Sequence, residues 1–60
     1  MSLTPTEKLI YDLYIEGKST KEVLDEMNIK ENTLKYHNKN IYGKLGVGSR
    51  KELKAIAKII

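Results

Sequence analysis

Three short patterns of the same form divide this sequence and limit the folds that it can adopt. In each, a Ser or Thr is followed three positions later by a Glu: Thr4 with Glu7, Ser19 with Glu22, and Ser49 with Glu52. Such a pair caps the first turn of a helix, because each side chain accepts a hydrogen bond from the backbone amide of the other residue. Apolar residues at helical spacing follow each pattern, so the sequence predicts a chain that is helical almost throughout.

Residues that end helices complete a prediction of four helices. Gly17, Asn28 and Gly46 each follow an apolar period, and Gly and Asn most readily adopt the left-handed conformation that closes a helix. The connection around Asn28 is then only three or four residues long, which is a helix-turn-helix spacing. The predicted fold is an all-α, four-helix domain of the helix-turn-helix type covering residues 1–60, with helices at about 5–16, 20–27, 31–45 and 50–59.

The short length and the absence of cysteine narrow the function. A 60-residue chain buries only about 60% of the surface that it exposes when unfolded, which leaves little room for an enclosed active site. Without Cys there is no disulfide framework, zinc finger or thiol nucleophile, as expected in a reducing cytoplasm. The single histidine, His37, has no thiol or carboxylate pair beside it in the sequence, and apolar runs are far too short to span a membrane. We therefore expect a cytoplasmic binding domain that is not an enzyme and needs no cofactor.

Charge is distributed unevenly along the chain. Residues 1–29 hold three Lys and six acidic residues, a net charge of −3, whereas residues 30–60 hold eight Lys or Arg and two Glu, a net charge of +6. The second half is therefore the part that would face a polyanion. Charge alone does not decide this, because most charged faces only keep a domain soluble.

The third predicted helix carries the strongest functional signal. Its outward arc combines cations with amide, hydroxyl and aromatic side chains: Asn32, Thr33, Lys35, Tyr36, Lys39, Asn40 and Lys44. Lys can contact phosphates or guanine, Asn can pair with adenine, and Tyr or Thr can touch a thymine methyl group, all from one helix in a major groove. An ordinary solvated face is the alternative, and the position of the helix after a short capped helix and a tight turn favours DNA recognition over it.

Two further residues have open assignments at this point. His37 lies between the outward and buried arcs of the third helix, so a phosphate contact and a packing role are equally compatible with its position. Lys21 lies in the first turn of the second helix, where the first helix of such a motif crosses the DNA backbone, and it is either a phosphate contact or a plain surface lysine.

The residues together resemble the LuxR-type, or GerE-type, helix-turn-helix domain of bacterial transcription regulators. The resemblance spans most of the chain and rests on these elements: Leu3-Thr4-Pro5 with Glu7, then Gly17, Ser19 through Val23, Thr33-Leu34-Lys35, His37, Asn40-Ile41, Lys44-Leu45-Gly46-Val47 and Ser49-Arg50. It departs from the family at three positions. Lys30 stands where a capping Ser or Thr is usual, Leu24 where a small residue is usual, and Asn28 where Gly is usual.

The resemblance implies binding of promoter DNA through the third helix, dimerisation through the fourth helix, and a place at the output end of a longer regulator that carries a sensor or receiver domain, as in response regulators. It matches Lys35, Tyr36 and Lys39 to residues that reach bases, and Lys21, Thr33 and His37 to positions at the phosphate backbone. To these we add Asn32 as a base contact, Lys44 and Arg50 as phosphate contacts, and a homodimer interface made by Lys51, Ala55 and Ile59.

One alternative function remains open from the sequence. The same fold could serve as a helical protein-interaction module whose basic face binds an acidic protein partner. That module would show little or no affinity for double-stranded DNA, so a binding measurement separates the two hypotheses.

Overall fold

The chain folds into four α-helices joined by short turns. The computed structural model describes the backbone of residues 2–59 and the side chains of residues 2–57. The helices are α1 (Pro5–Ile15), α2 (Thr20–Met27), α3 (Glu31–Leu45) and α4 (Arg50–Ile59), and this part of the chain contains no strand. The all-α prediction is confirmed, and the bounds agree with the predicted ones to within a residue, which is the ordinary uncertainty of a helix end.

The first two helices begin with the predicted capping boxes. The Thr4 hydroxyl accepts from the Glu7 amide at 3.2 Å, and the Glu7 carboxylate accepts from the Thr4 amide at 2.9 Å. Ser19 and Glu22 repeat this arrangement with the same two distances. Each box provides partners for amides that a helix start otherwise leaves without an acceptor.

The starts of α3 and α4 differ from these two. Ser49 accepts from the Glu52 amide at 3.3 Å, but the Glu52 carboxylate accepts from the Gly48 amide at 3.0 Å rather than from Ser49. The prediction of a third reciprocal box is therefore wrong by one residue, because the carboxylate reaches the preceding amide of the turn. At α3, Lys30 occupies the cap position and makes no side-chain cap hydrogen bond.

All three turns close in the same way. Gly17, Asn28 and Gly46 adopt positive φ values of 88°, 53° and 71°, as predicted for left-handed helix ends. After each of them an amide bonds back to a carbonyl five residues earlier: Lys18 to Leu13, Ile29 to Leu24, and Val47 to Tyr42, at 3.0–3.1 Å. These are the bonds of a Schellman motif, which gives helix-end carbonyls a backbone partner.

A single core receives side chains from all four helices. Its buried apolar residues are Ile10, Leu13, Tyr14, Val23, Leu34, Ile41 and Leu53. Each large apolar side chain that is fully buried stabilises the fold by about 1.5–3 kcal/mol relative to exposure. Leu24, where the family usually has a small residue, is half-buried and packs against this core.

Helix α1 is the scaffold on which the other helices are placed, since it contacts α2, α3 and α4. Leu34 and Ile41 of α3 are buried against the core. The two residues are seven positions apart, which puts them on one side of the helix. The opposite side of α3 is thereby turned to solvent.

Candidate nucleic-acid interface

The solvent side of α3 contains the residues that were predicted to reach bases. Asn32, Lys35, Tyr36 and Lys39 are all exposed. At 3.6 residues per turn these four positions fall within an arc of about 100° around the helix. We call this set the reading arc. Tyr36 is 64% exposed, which is unusual for a large aromatic residue and leaves its ring free to contact another molecule.

The reading arc combines positive charge with groups that recognise base edges. Its two lysines are charged donors that suit guanine or phosphate oxygens, and the Asn32 amide has the donor and acceptor needed for adenine. The exposed acid on α3 is Glu31 in its first turn, where the helix dipole stabilises a negative charge. Exposed Gly43 lies on the same side one turn after Lys39 and leaves open space there.

The flank of the arc that holds Thr33 and His37 has a mixed character. Thr33 is exposed, whereas His37 is half-buried and its ring meets Tyr36 edge-on at 5.7 Å between centroids. This contact orients two neighbouring aromatic side chains at the border of the reading arc. Lys21, on α2, is also exposed.

Lys44 is held by an ion pair inside the domain. Its Nζ lies 2.7 Å from Oε1 of Glu7, and the side chains are 25% and 5% exposed. The hydrogen bond from Lys44, followed by that from the Thr4 amide, lowers the pKa of Glu7 below its ordinary value of 4.5. Lys44 thus joins the last turn of α3 to the first turn of α1, so its charge is already neutralised by a partner.

Arg50 also makes a contact that the sequence did not reveal. Its Cζ lies 4.3 Å from the centroid of the Tyr14 ring, a cation–π geometry. Its Nε is buried and has no hydrogen-bond partner in the described part of the chain. The guanidinium of the first α4 residue is therefore held against α1.

Asn38 is the residue that the sequence analysis missed. The Tyr14 hydroxyl donates to its Oδ1 at 2.5 Å, which links α1 to α3. Burial raises the pKa of Tyr14 above its ordinary value of 10.0, so the hydroxyl keeps the proton that it donates. A signal was available in the sequence, because a tyrosine on a buried stripe usually requires a partner for its hydroxyl.

The predicted dimer residues lie on the outer side of α4 as far as the structure describes them. Lys51 and Ala55 are exposed, and their spacing of four residues puts them on one face. The side chain of Ile59 lies outside the described residues.

This arrangement can be compared with known proteins. The family model of bacterial regulatory proteins, luxR family, matches residues 1–57. The chain belongs to the luxR family. The predicted resemblance is therefore confirmed, and membership places this LuxR-type domain among regulatory proteins rather than enzymes.

Individual relatives support the same family. The spore germination protein GerE of Bacillus subtilis is 38% identical over 50 residues, which are 83% of this chain and 68% of that protein. An Aeromonas salmonicida protein that is named as an HTH-type transcriptional regulator is 39% identical over 51 residues. These are 85% of this chain and 26% of that protein. The Fimbriae Z protein of Escherichia coli K12 is 39% identical over 57 residues, 95% of this chain and 27% of its own.

This LuxR-type domain corresponds to only a part of its longer relatives. It spans only about a quarter of the Aeromonas and Escherichia relatives. No solved structure matches the chain significantly. Within the described residues, no helix has the length and apolar character required to cross a membrane.

Proposed function

We propose that this domain binds double-stranded DNA by placing α3 in the major groove, with Asn32, Lys35, Tyr36 and Lys39 facing base edges. The observation that carries the proposal is the reading arc itself: four exposed side chains on about 100° of one helix, two of them cationic and two able to recognise bases. Because α3 is the second helix of a helix-turn-helix unit, its first turns are the part that enters a groove.

Phosphate contacts would surround this arc. Lys21 is exposed on α2, Thr33 and His37 flank the arc, and Arg50 begins α4. Lys44 has the weakest claim among the predicted phosphate contacts, since its ammonium is bound to Glu7. A contact between Lys44 and DNA would require this ion pair to open. We therefore assign Lys44 to the packing of α1 on α3.

A homodimer through α4 is the second part of the proposal. Lys51 and Ala55 form an exposed face on α4, and the proposal includes Ile59 from its sequence spacing alone. Two copies would occupy half-sites about one helical turn, or 34–36 Å, apart, and their binding free energies would reinforce each other. A duplex with one half-site should therefore bind much more weakly than a duplex with two.

The lengths of the relatives support the cellular setting that we propose. Those matched over 26–27% of their length are much longer than this chain, and a regulator of that size has room for a sensor or receiver region. The domain then acts as the output module of a cytoplasmic transcription regulator, and two linked modules bind more tightly than one because the second contact becomes intramolecular.

A salt-dependent titration tests DNA binding directly. Duplexes selected from a randomised pool are titrated with the chain at several salt concentrations, since the logarithm of the affinity falls by about 0.9 per phosphate contact for each tenfold increase in salt. Lys35→Ala and Lys39→Ala should each lower affinity for the selected duplex, and loss of a base contact costs about 1–3 kcal/mol.

Lys8→Ala is the control, because it removes one exposed lysine from α1 instead of α3; its i,i+4 ion pair with Asp12 is exposed and contributes little to stability. The proposal fails if all three variants bind equally well. It also fails if the chain binds no duplex and binds an acidic protein partner instead, which is the outcome expected of a protein-interaction module.

A further inference from the structure

Tyr14 contacts functional groups on two other helices. It lies in the last turn of α1 and is only 2% exposed. Its hydroxyl donates to Asn38 on α3, and its ring lies under the guanidinium of Arg50 on α4. One buried side chain therefore contacts both the recognition helix and the start of the following helix.

The contact with Asn38 constrains the rotation of α3 about its own axis. Asn38 is three residues after Lys35 and one residue before Lys39, so it lies about 60° from Lys35 around the helix. A hydrogen bond at this position opposes rotation of α3 about its own axis, because any such rotation would separate the Asn38 Oδ1 atom from the Tyr14 hydroxyl. Leu34 and Ile41 hold the same helix by apolar packing, which is non-directional, and the hydrogen bond adds a directional constraint to it.

The contact with Arg50 holds a cation against Tyr14 at the start of α4. The guanidinium carbon Cζ lies 4.3 Å from the ring centroid, and this cation–π contact restrains a group whose donors form a planar fork. Nε is buried without a partner, whereas the Arg50 side chain as a whole is only partly buried. Its terminal nitrogens are thus the part left to meet a phosphate.

We propose that Tyr14 is a positioning residue for DNA recognition, with its hydroxyl setting the rotation of the reading arc through Asn38 and its ring holding Arg50 toward a phosphate. The proposal rests on the DNA-binding function proposed above. It assigns separate roles to two parts of one side chain: the hydroxyl affects discrimination between sequences, and the ring affects the number of phosphate contacts.

Tyr14→Phe tests the hydroxyl. The variant keeps the ring, and loss of one hydrogen bond should reduce the ratio of affinities for selected and scrambled duplexes by about threefold to tenfold. The salt dependence of binding should not change. Tyr11→Phe is the control, because it removes a hydroxyl from the same helix, and Tyr11 makes no side-chain hydrogen bond within the described residues.

Asn38→Ala supplies an independent variant for the same contact. If Tyr14 acts through Asn38, the double variant with Tyr14→Phe should lose no more discrimination than the larger of the two single losses. Strictly additive losses would overturn the proposed link. An unchanged affinity ratio in Tyr14→Phe, or an equal loss in Tyr11→Phe, would overturn the role of the hydroxyl.

Tyr14→Leu tests the ring. The plot of log affinity against log salt should become less steep, its slope decreasing in magnitude by about 0.9, the value of one phosphate contact. Arg50→Ala should give the same decrease, and combining the two changes should give no further decrease. Melting curves by circular dichroism identify the temperature at which every variant is folded, and a slope that stays at the wild-type value there overturns the role of the ring. Binding of the wild-type chain is measured before that of any variant. If the wild-type chain bound no duplex, the DNA-binding function itself would be refuted.

Discussion

The left-handed conformation of Asn28 allows its contribution to stability to be worked out. Asn28 has φ 53° and ψ 49° at the turn between α2 and α3. Its side chain is exposed and makes no hydrogen bond within the described residues. Replacement by Ala therefore changes the cost of the backbone conformation and removes no side-chain hydrogen bond of the described structure.

Asn28→Ala should lower the free energy of unfolding by an amount that shifts the Tm of so small a domain by several degrees. The left-handed conformation costs an ordinary L-residue about 1–2 kcal/mol, and Asn tolerates it better than Ala does. We take about 1 kcal/mol for Asn28→Ala. With an unfolding entropy of about 2.1 cal/mol/K per residue, a chain of 60 residues should lose about 8 °C in Tm for that free energy.

Asn28→Gly is the matched comparison. Glycine adopts positive φ without steric cost, and its greater flexibility in the unfolded chain offsets part of the gain. Its Tm should stay within about 3 °C of the wild-type value, since these two opposing effects leave a net change of roughly a few tenths of a kcal/mol. Thermal unfolding followed by circular dichroism at 222 nm measures all three proteins. Equal destabilisation by Ala and Gly would refute the reasoning, because it would mean that the Asn side chain and not the backbone conformation matters.

Two further predictions concern the ends of helices. The folded pKa of Glu7 lies below its ordinary 4.5, so the contribution of its carboxylate to stability is complete above that pH and is lost as the pH falls through the folded value. Glu7→Gln should therefore lose less stability on acidification than the wild type does, as measured by urea melts at several pH values, and an equal loss in both proteins would contradict this. Lys30→Ser should raise stability by about 0.5–1 kcal/mol, since α3 has no side-chain cap and Ser provides one; an unchanged or lower urea midpoint would contradict this.

Local signals explain why so much of the fold follows from the sequence. Thr4 with Glu7, and Ser19 with Glu22, act over three residues, so nothing distant is needed to predict where α1 and α2 begin. The same holds for Asn28, whose left-handed preference is a property of its own side chain and backbone. The exposure of the reading arc follows from the periodicity of the buried residues on the other side of α3.

Contacts between distant residues could not be predicted in this way. Glu7 and Lys44 are 37 positions apart, and Tyr14 and Asn38 are 24 apart. Both pairs depend on how α1 is placed against α3, which is a property of packing and not of either helix alone. For this reason the sequence analysis used only the helix position of Lys44 and predicted that it contacts a DNA phosphate. Sequence periodicity identifies which face is outward but not which outward charge already has a partner.

The Glu7 carboxylate connects the start of α1 to the last turn of the recognition helix α3. A single oxygen atom, Oε1, accepts both the Thr4 amide and the Lys44 ammonium. Unwinding of the first turn of α1 would therefore leave the partly buried end of α3 with an unneutralised charge. The start of α1 and the end of the helix that carries the reading arc are therefore coupled through one carboxylate oxygen.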